Sequence, residues 1–162
     1  MLVRTAEERI VEAVKSFSAR AVEMVKRLES FSPTPYKDAG GYSIGYGHYM
    51  GVNPTIQRVT PEDADRLLAD DLMTAKRTID QYVTVPLSQN QYDALTSAVI
   101  NLGSKLFRNA NGTTTGFIRK LNAGDYQGAA DELLRFKYSM GKILPALERR
   151  RMEERNLFLT EV

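Results

Sequence analysis

The longest regular pattern in the sequence begins at Thr60-Pro61-Glu62-Asp63 and continues as an apolar stripe with helical spacing to about Val83. Its start combines a capping residue, a proline at the first helical position and acids in the first turn, which is typical of a helix N-terminus. The pattern predicts a helix over 61–83, about 33 Å long at a rise of 1.5 Å per residue. A helix of this length is a candidate connector between two lobes.

The segment before this helix changes from a helical pattern to a glycine-rich one. Ser18 is a suitable N-cap for a helix that carries apolar residues on one face and has Glu29 in its last turn. Pro33 and Pro35 prevent that helix from continuing. Over 36–50, apolar and aromatic residues alternate weakly between glycines, which predicts a small, tightly turned β-hairpin or meander. So small a sheet must pack against helices.

The chain after the long helix has the pattern of a helical bundle. Ser88 and Gln91 form a capping box at the start of an apolar helix, and Gly103 is a suitable residue to end that helix. A polar loop over 109–115 follows. We predict three further helices beyond it, over about 115–122, 126–138 and 145–158. A capping box near Thr5 also predicts a helix over 5–16, before all these elements.

Composition excludes several classes of site. The chain has no cysteine and one histidine, His48, so disulfides, thiolate sites and multi-histidine metal sites are excluded. The net charge of +2 gives little support to a nucleic-acid partner, and we expect none. Residues 135–155 are basic, which predicts a solvated helix face, with attraction to an anionic surface as the alternative. No run approaches the ~18 apolar residues of a membrane span.

The residues that can carry chemistry lie together between Glu29 and His48. Glu29 is expected at a helix C-terminus, where the helix dipole disfavours negative charge and so favours the neutral acid. Asp38, beside glycines, is expected to be solvated and ionised, and the Ser43 hydroxyl could share a water with it. Two carboxyl groups in different environments are the parts that hydrolysis of a glycosidic bond needs, without a metal or cofactor. Judged by spacing alone, Glu29 could also be a surface residue at a helix end, Asp38 a turn residue and Ser43 an ordinary strand residue.

This segment resembles the catalytic segment of the phage-type lysozymes, glycoside hydrolase family 24. The family pattern is a helical Glu, eight residues, Asp, and then Thr before Ile-Gly-Tyr-Gly-His, which is matched here by Glu29, Asp38, Ser43 and the residues 44–48. Further ordered matches extend the resemblance over about residues 18 to 160. They lie at 87–95, 101–103, 120–130 and 144–153.

Three departures from the family pattern bear on the site. Ser30 follows the glutamate where the family usually has glycine, and Ser43 replaces the threonine. The spacing from Asp38 to the hydroxyl is one residue shorter than usual. We expect Gly40-Gly41 to absorb the shorter turn.

The resemblance implies a fold and a division of the chain. The fold class is α+β, a mostly helical, lysozyme-like two-lobed fold with a small antiparallel sheet in the N-terminal lobe and a long connecting helix. The domains would be an extra N-terminal helix within 1–17 and a catalytic domain over 18–162. That domain would comprise an N-terminal lobe over about 18–60, the linking helix over 61–83 and a C-terminal lobe over about 84–162.

The resemblance also implies an activity. The reaction would be hydrolysis of the β-1,4 bond between N-acetylmuramic acid and N-acetylglucosamine in bacterial peptidoglycan, by a monomeric phage or prophage endolysin. Glu29 and Asp38 would be catalytic, with Ser43 assisting, and an inverting reaction would place the carboxyl groups about 6.5–9.5 Å apart. Substrate contacts would come from Tyr49, Asn101 and Glu132.

Three further expectations complete the interpretation. The charged N-terminal residues do not form a signal peptide, so we expect synthesis in the host bacterial cytoplasm and release to the wall through a holin, as the resemblance implies. His48 is expected to have a structural role, and Arg150 is a candidate partner for an acid near Glu29. The alternatives are a catalytically lapsed wall-binding protein, with the three departures in its favour, and a transglycosylase.

Overall fold

Six α-helices, a three-stranded antiparallel sheet and a two-stranded ribbon make up residues 14–161, the part of the chain that the computed structural model describes. The N-terminal half contains α1 (Ala19–Glu29), β1 (Ser32–Asp38), β2 (Gly41–Gly45), β3 (His48–Gly51) and α2 (Pro61–Tyr82). The C-terminal half contains α3 (Gln89–Leu102), a 3₁₀ turn (Gly103–Leu106), α4 (Gly116–Asn122), α5 (Tyr126–Leu133), β4 (Tyr138–Ser139), β5 (Lys142–Ile143) and α6 (Pro145–Leu159).

The long helix α2 begins and ends where its sequence pattern predicts. The Thr60 side chain accepts a hydrogen bond from the Asp63 backbone N–H, and the Asp63 carboxylate accepts one from the Thr60 N–H. Successive turns of α2 pack on different partners. Ala64 packs with Ile44 of the sheet, Leu68 and Leu72 pack with Val25 of α1, and the last turns join the C-terminal core through Ala75 and Ile79.

The core of the C-terminal half is built around α3. Its capping box is present as predicted, with the Ser88 hydroxyl accepting from the Gln91 N–H and the Gln91 side chain accepting from the Ser88 N–H. Its buried residues include Ala94, Leu95 and Ala98, and α4, α5 and α6 pack around it through Phe117, Leu133 and Phe158. The predicted α+β fold, mostly helical with a small antiparallel sheet and a long connecting helix, is therefore confirmed.

The turn between β1 and β2 differs from the expected Gly40-Gly41 turn. Asp38 pairs with Gly41, so the loop between β1 and β2 consists of Ala39 and Gly40, both at positive φ (46° and 80°). Two residues at positive φ give the type I′ geometry whose twist suits a tight hairpin. Gly41 lies inside β2 instead, where a Cβ atom would come within 2.4 Å of the Gly51 carbonyl oxygen. The short spacing is therefore absorbed by a two-residue turn that includes Ala39.

Two other elements differ from their predictions. β1 begins at Ser32 and contains Pro33 and Pro35, which an edge strand tolerates because one side of its backbone needs no ladder partner. The helix predicted over 126–138 ends at Leu133, and Tyr138–Ser139 then pairs with Lys142–Ile143 in a short ribbon. Between the paired strands, Met140 and Gly141 both have positive φ, a hairpin turn that the helical pattern did not reveal.

The chain before α1 runs along the start of α3. The Val14 N–H donates to the Leu87 carbonyl, and the Ser16 carbonyl accepts from the Gln89 side chain. Residues 14–16 are not helical, and the rest of the helix predicted over 5–16 lies outside the described residues. Ser18 precedes α1 as expected, but its hydroxyl donates to Asp93 of α3 instead of capping the helix. The division of the chain at residue 17 stays a prediction.

No helix within residues 14–161 is both long enough and apolar enough to span a bilayer.

Candidate active site

Glu29 is held at the C-terminal end of α1 by an arginine from the last helix. The Glu29 Oε1 atom accepts a hydrogen bond from Nη1 of Arg150 at 2.6 Å, and the two side chains are only 17% and 8% exposed. Helix α1 ends at once after this residue because Ser30 has a φ of 60°, a conformation that suits glycine better than serine. The serine that departs from the family pattern therefore occupies a strained backbone position, next to a glutamate that contacts Arg150.

Asp38 lies exposed at the end of β1 and is oriented by Ser43. The Ser43 hydroxyl donates to the Asp38 Oδ2 atom at 2.7 Å, and Ser43 itself is fully buried on β2. The structure shows a direct hydrogen bond between these residues, and their sharing of a water molecule stays a prediction. Asp38 keeps its second oxygen, Oδ1, free of this bond, so it can accept a proton from a water molecule while Ser43 fixes its rotation.

Tyr36 is a phenol that lies near both carboxyl groups. It lies opposite Ser43 in the sheet, and the two-residue period of β1 places it on the same face as Asp38. Burial is the main cause that raises the pKa of the Tyr36 phenol, and the negative charges of Glu29 and Asp38 raise it further. One phenol therefore senses both carboxyl groups. Tyr36 is absent from the predicted site, although the two-residue period of a strand places it on the same face as Asp38.

Gly47 and His48 support the site from β3 and the turn before it. A Cβ atom on Gly47 would lie 2.6 Å from the Glu29 Oε2 atom, so only glycine permits this approach. His48 Nδ1 is 3.0 Å from the Asp71 Oδ2 atom on α2, which is the structural role that we expected for this histidine. Burial raises the pKa of the Asp71 carboxyl, and the contact with His48 opposes that effect.

We expect Gly47→Ala to lower the rate of hydrolysis by about a hundredfold, because the added methyl group must displace the Glu29 carboxylate by about 1 Å. The positive φ of 77° adds backbone strain of about 1–3 kcal/mol. Gly51→Ala is the matched control, since Gly51 has a φ of 79° but nothing lies within 4 Å of an added Cβ. Turnover and thermal unfolding of both variants check this, and equal turnover in the two would contradict it.

The three predicted substrate contacts differ in their surroundings. Tyr49 is 49% exposed on β3, with its hydroxyl 3.4 Å from the Ala39 carbonyl beside Asp38. Asn101 is exposed in the last turn of α3. Glu132 is only 11% exposed, because its carboxylate pairs with Lys120 of α4 and Arg135. The contact of all three with substrate stays a prediction.

The described residues contain no cluster of three or more acidic or histidine side chains that could hold a metal ion. The site consists of a half-buried carboxyl group paired with a guanidinium, an exposed carboxylate oriented by a hydroxyl, and a phenol near both.

Comparisons with known proteins identify relatives of this chain. The model of the phage lysozyme family matches residues 26–154. The endolysin of Acyrthosiphon pisum secondary endosymbiont phage 1 is 36% identical over 148 residues, which cover 87% of this chain and 96% of that protein. The endolysin of Salmonella phage P22 is 38% identical over 148 residues, which cover 88% and 97%. Among solved structures, the muramidase domain of SpmX from Asticaccaulis excentricus matches with a TM-score of 0.76 at 34% identity and covers 90% of this chain and 99% of that domain.

Proposed function

The chain belongs to the phage lysozyme family, and we propose that it is an endolysin that hydrolyses the β-1,4 bond between N-acetylmuramic acid and N-acetylglucosamine in bacterial peptidoglycan. The observation that carries this proposal is the contrast between its two acids. Glu29 is largely buried and paired with Arg150, whereas Asp38 is exposed and oriented by Ser43. Two carboxyl groups in such different environments suit the acid and base roles of a glycosidase.

In this mechanism Glu29 donates a proton to the glycosidic oxygen as the bond to the sugar breaks. Asp38 accepts a proton from a water molecule that attacks the anomeric carbon from the opposite face, which inverts the configuration. Arg150 aims the Glu29 carboxyl group through its 2.6 Å contact, and the Ser43 hydroxyl holds the rotation of Asp38. Tyr49, Asn101 and Glu132 are proposed to contact the sugar or peptide of the substrate.

The release of reducing ends from purified peptidoglycan tests this function. We expect steady release of reducing ends together with clearing of the suspension. The rival function is a wall-binding protein of the same fold that has lost catalysis, which the departures at Ser30 and Ser43 favour. Co-sedimentation with peptidoglycan without release of reducing ends would support that rival and contradict the proposed hydrolysis.

Ser43→Ala is expected to lower turnover about tenfold or more, because Asp38 loses the hydrogen bond that fixes its orientation. Ser43→Thr keeps the hydroxyl and should retain turnover within about threefold, so it serves as the matched control. Initial rates of reducing-end release, with unfolding midpoints measured alongside, check the prediction. If the alanine variant keeps the rate of the wild type, Ser43 has no part in the reaction.

We further propose that the protein acts as a monomer without a nucleic-acid partner. It would accumulate in the host bacterial cytoplasm and act on the cell wall after holin-dependent release, as the family resemblance suggests. Sedimentation of the purified protein tests the first statement. Fractionation of host cells before and after expression of a holin tests the location.

A further inference from the structure

A buried polar cluster lies directly behind the contact between Glu29 and Arg150. It consists of Ser97 on α3 and Arg150, Arg151 and Glu154 on α6. All four residues are buried, and Arg151, Ser97 and Glu154 expose no surface. Charged side chains are almost never fully buried unless they are paired, so the contacts within this cluster require a physical explanation.

Arg150 is fixed from three directions at once. Its Nη1 atom contacts Glu29, and its Nη2 atom donates to the Ser97 carbonyl oxygen at 2.9 Å. Its Nε atom donates to the Glu154 Oε2 atom at 3.3 Å. A guanidinium group is a rigid fork of donors, so the contacts on Nε and Nη2 determine where Nη1 points. The position of the group that touches Glu29 is therefore set from behind.

Glu154 is the centre of these contacts. Its Oε2 atom accepts from the Ser97 hydroxyl at 2.6 Å, from Arg150 and from Arg151 Nη2 at 3.2 Å. Its Oε1 atom lies 2.6 Å from the Arg151 Nε atom. Burial raises the pKa of the Glu154 carboxyl, and the two neighbouring guanidinium groups oppose that effect.

The formal charges of the cluster balance only when Glu29 is counted. Arg150 and Arg151 carry two positive charges, and Glu154 and Glu29 carry two negative charges when both are ionised. A buried cluster of charged side chains contributes little to the stability of a fold, since apolar residues of similar volume often stabilise a protein more. Its direct contact with Glu29 gives it a different role.

We propose that Glu154 and Ser97 are positioning residues that hold Arg150 against Glu29, and that they thereby keep the Glu29 carboxyl group in the orientation that proton donation needs. This inference rests on the proposed hydrolysis. Both residues are fully buried and contact Arg150, so they act through it.

The expected effect follows from the contacts of Glu154. Glu154→Gln keeps the shape of the side chain but replaces the charged acceptor of the Arg150 Nε atom and of the Ser97 hydroxyl by a neutral amide. The guanidinium group is then held less firmly, so the Glu29 carboxyl group is less often in the orientation that proton donation needs. Because Glu154 is fully buried and acts through Arg150, kcat should fall while KM stays unchanged.

The test is the kcat and KM of reducing-end release for the wild type, Glu154→Gln and Glu148→Gln. We expect Glu154→Gln to lower kcat about tenfold at an unchanged KM. Glu148 lies on the same helix as Glu154 and pairs at the surface with Lys137, so Glu148→Gln should keep the wild-type kcat. Glu154→Asp keeps a charged acceptor and should have a higher kcat than Glu154→Gln.

Each outcome decides between the positioning role and a merely structural one. A Glu154→Gln variant with the kcat of the wild type, or a Glu154→Asp variant no faster than Glu154→Gln, would overturn the proposal. If Glu154→Gln does not fold, Ser97→Ala replaces it, because it removes a hydrogen bond that holds the Glu154 carboxylate. A severalfold lower kcat of Ser97→Ala at an unchanged KM would support the proposal, and an unchanged kcat would overturn it. A wild type that releases no reducing ends would overturn the proposed function and this inference with it, whereas an active wild type isolates the role of Glu154.

Discussion

Glu29→Gln is expected to lower the rate of peptidoglycan hydrolysis about a thousandfold while the protein stays folded. A glutamine amide has almost the shape of the protonated glutamate but cannot donate a proton to the glycosidic oxygen, and general acid catalysis contributes about 10²–10⁴ to such rates. The amide oxygen can still accept the hydrogen bond from Arg150, so the last helix should remain docked on α1. The rate of reducing-end release at saturating peptidoglycan measures the effect.

Glu23→Gln is the matched control for this variant. Glu23 lies on the same helix and is exposed, so the same chemical change there should leave the rate unaltered. Circular dichroism and thermal unfolding establish that both variants are folded. A Glu29→Gln variant that keeps more than about a tenth of the wild-type rate would remove Glu29 from the mechanism.

Arg151→Met is expected to lower the free energy of unfolding by about 3–5 kcal/mol, the largest stability effect that this structure predicts. Arg151 exposes no surface, and its Nε atom lies 2.6 Å from the fully buried Glu154 Oε1 atom. Removing the arginine leaves that oxygen buried without the charge that compensates it. Methionine fills a similar volume, so the loss should arise from the unpaired charge and not from a cavity.

Urea unfolding of Arg151→Met and of a double variant separates these causes. Arg151→Met/Glu154→Leu removes both partners and should recover most of the lost stability, because Arg150 and Glu29 still form a balanced pair. Arg149→Met is the control for the loss of an exposed arginine on the same helix. A double variant whose loss equals the sum of its two single variants would contradict the account of the cluster as an ion pair.

The sequence predicted the elements whose signals are local. The starts of α2 and α3 were placed correctly because Thr60 with Asp63, and Ser88 with Gln91, form hydrogen bonds three residues apart. The helix predicted over 126–138 extends too far, and the two strands of the ribbon that follows are too short to show an alternating pattern. The turn of the ribbon depends on a positive φ at Met140, and methionine is not a residue type that indicates this conformation.

The candidate site was predicted only in part for a similar reason. The family resemblance predicts Glu29, Asp38 and Ser43 as site residues, and Arg150 is a predicted partner for an acid near Glu29. The residues behind them depend on long-range contacts, which leave no local pattern. Glu29 and Arg150 are 121 positions apart, and Ser97 and Glu154 are 57 apart. Only the packing of α6 against α1 and α3 brings these groups together.

Mass spectrometry of the soluble products released from purified peptidoglycan in ¹⁸O-labelled water tests the central claim most directly. A muramidase breaks the bond by adding water to the anomeric carbon of N-acetylmuramic acid. We therefore predict muropeptides that end in reducing N-acetylmuramic acid carrying one ¹⁸O atom. Products that end in 1,6-anhydromuramic acid without label, or in reducing N-acetylglucosamine, would contradict the assignment of Glu29 and Asp38 to muramidase hydrolysis.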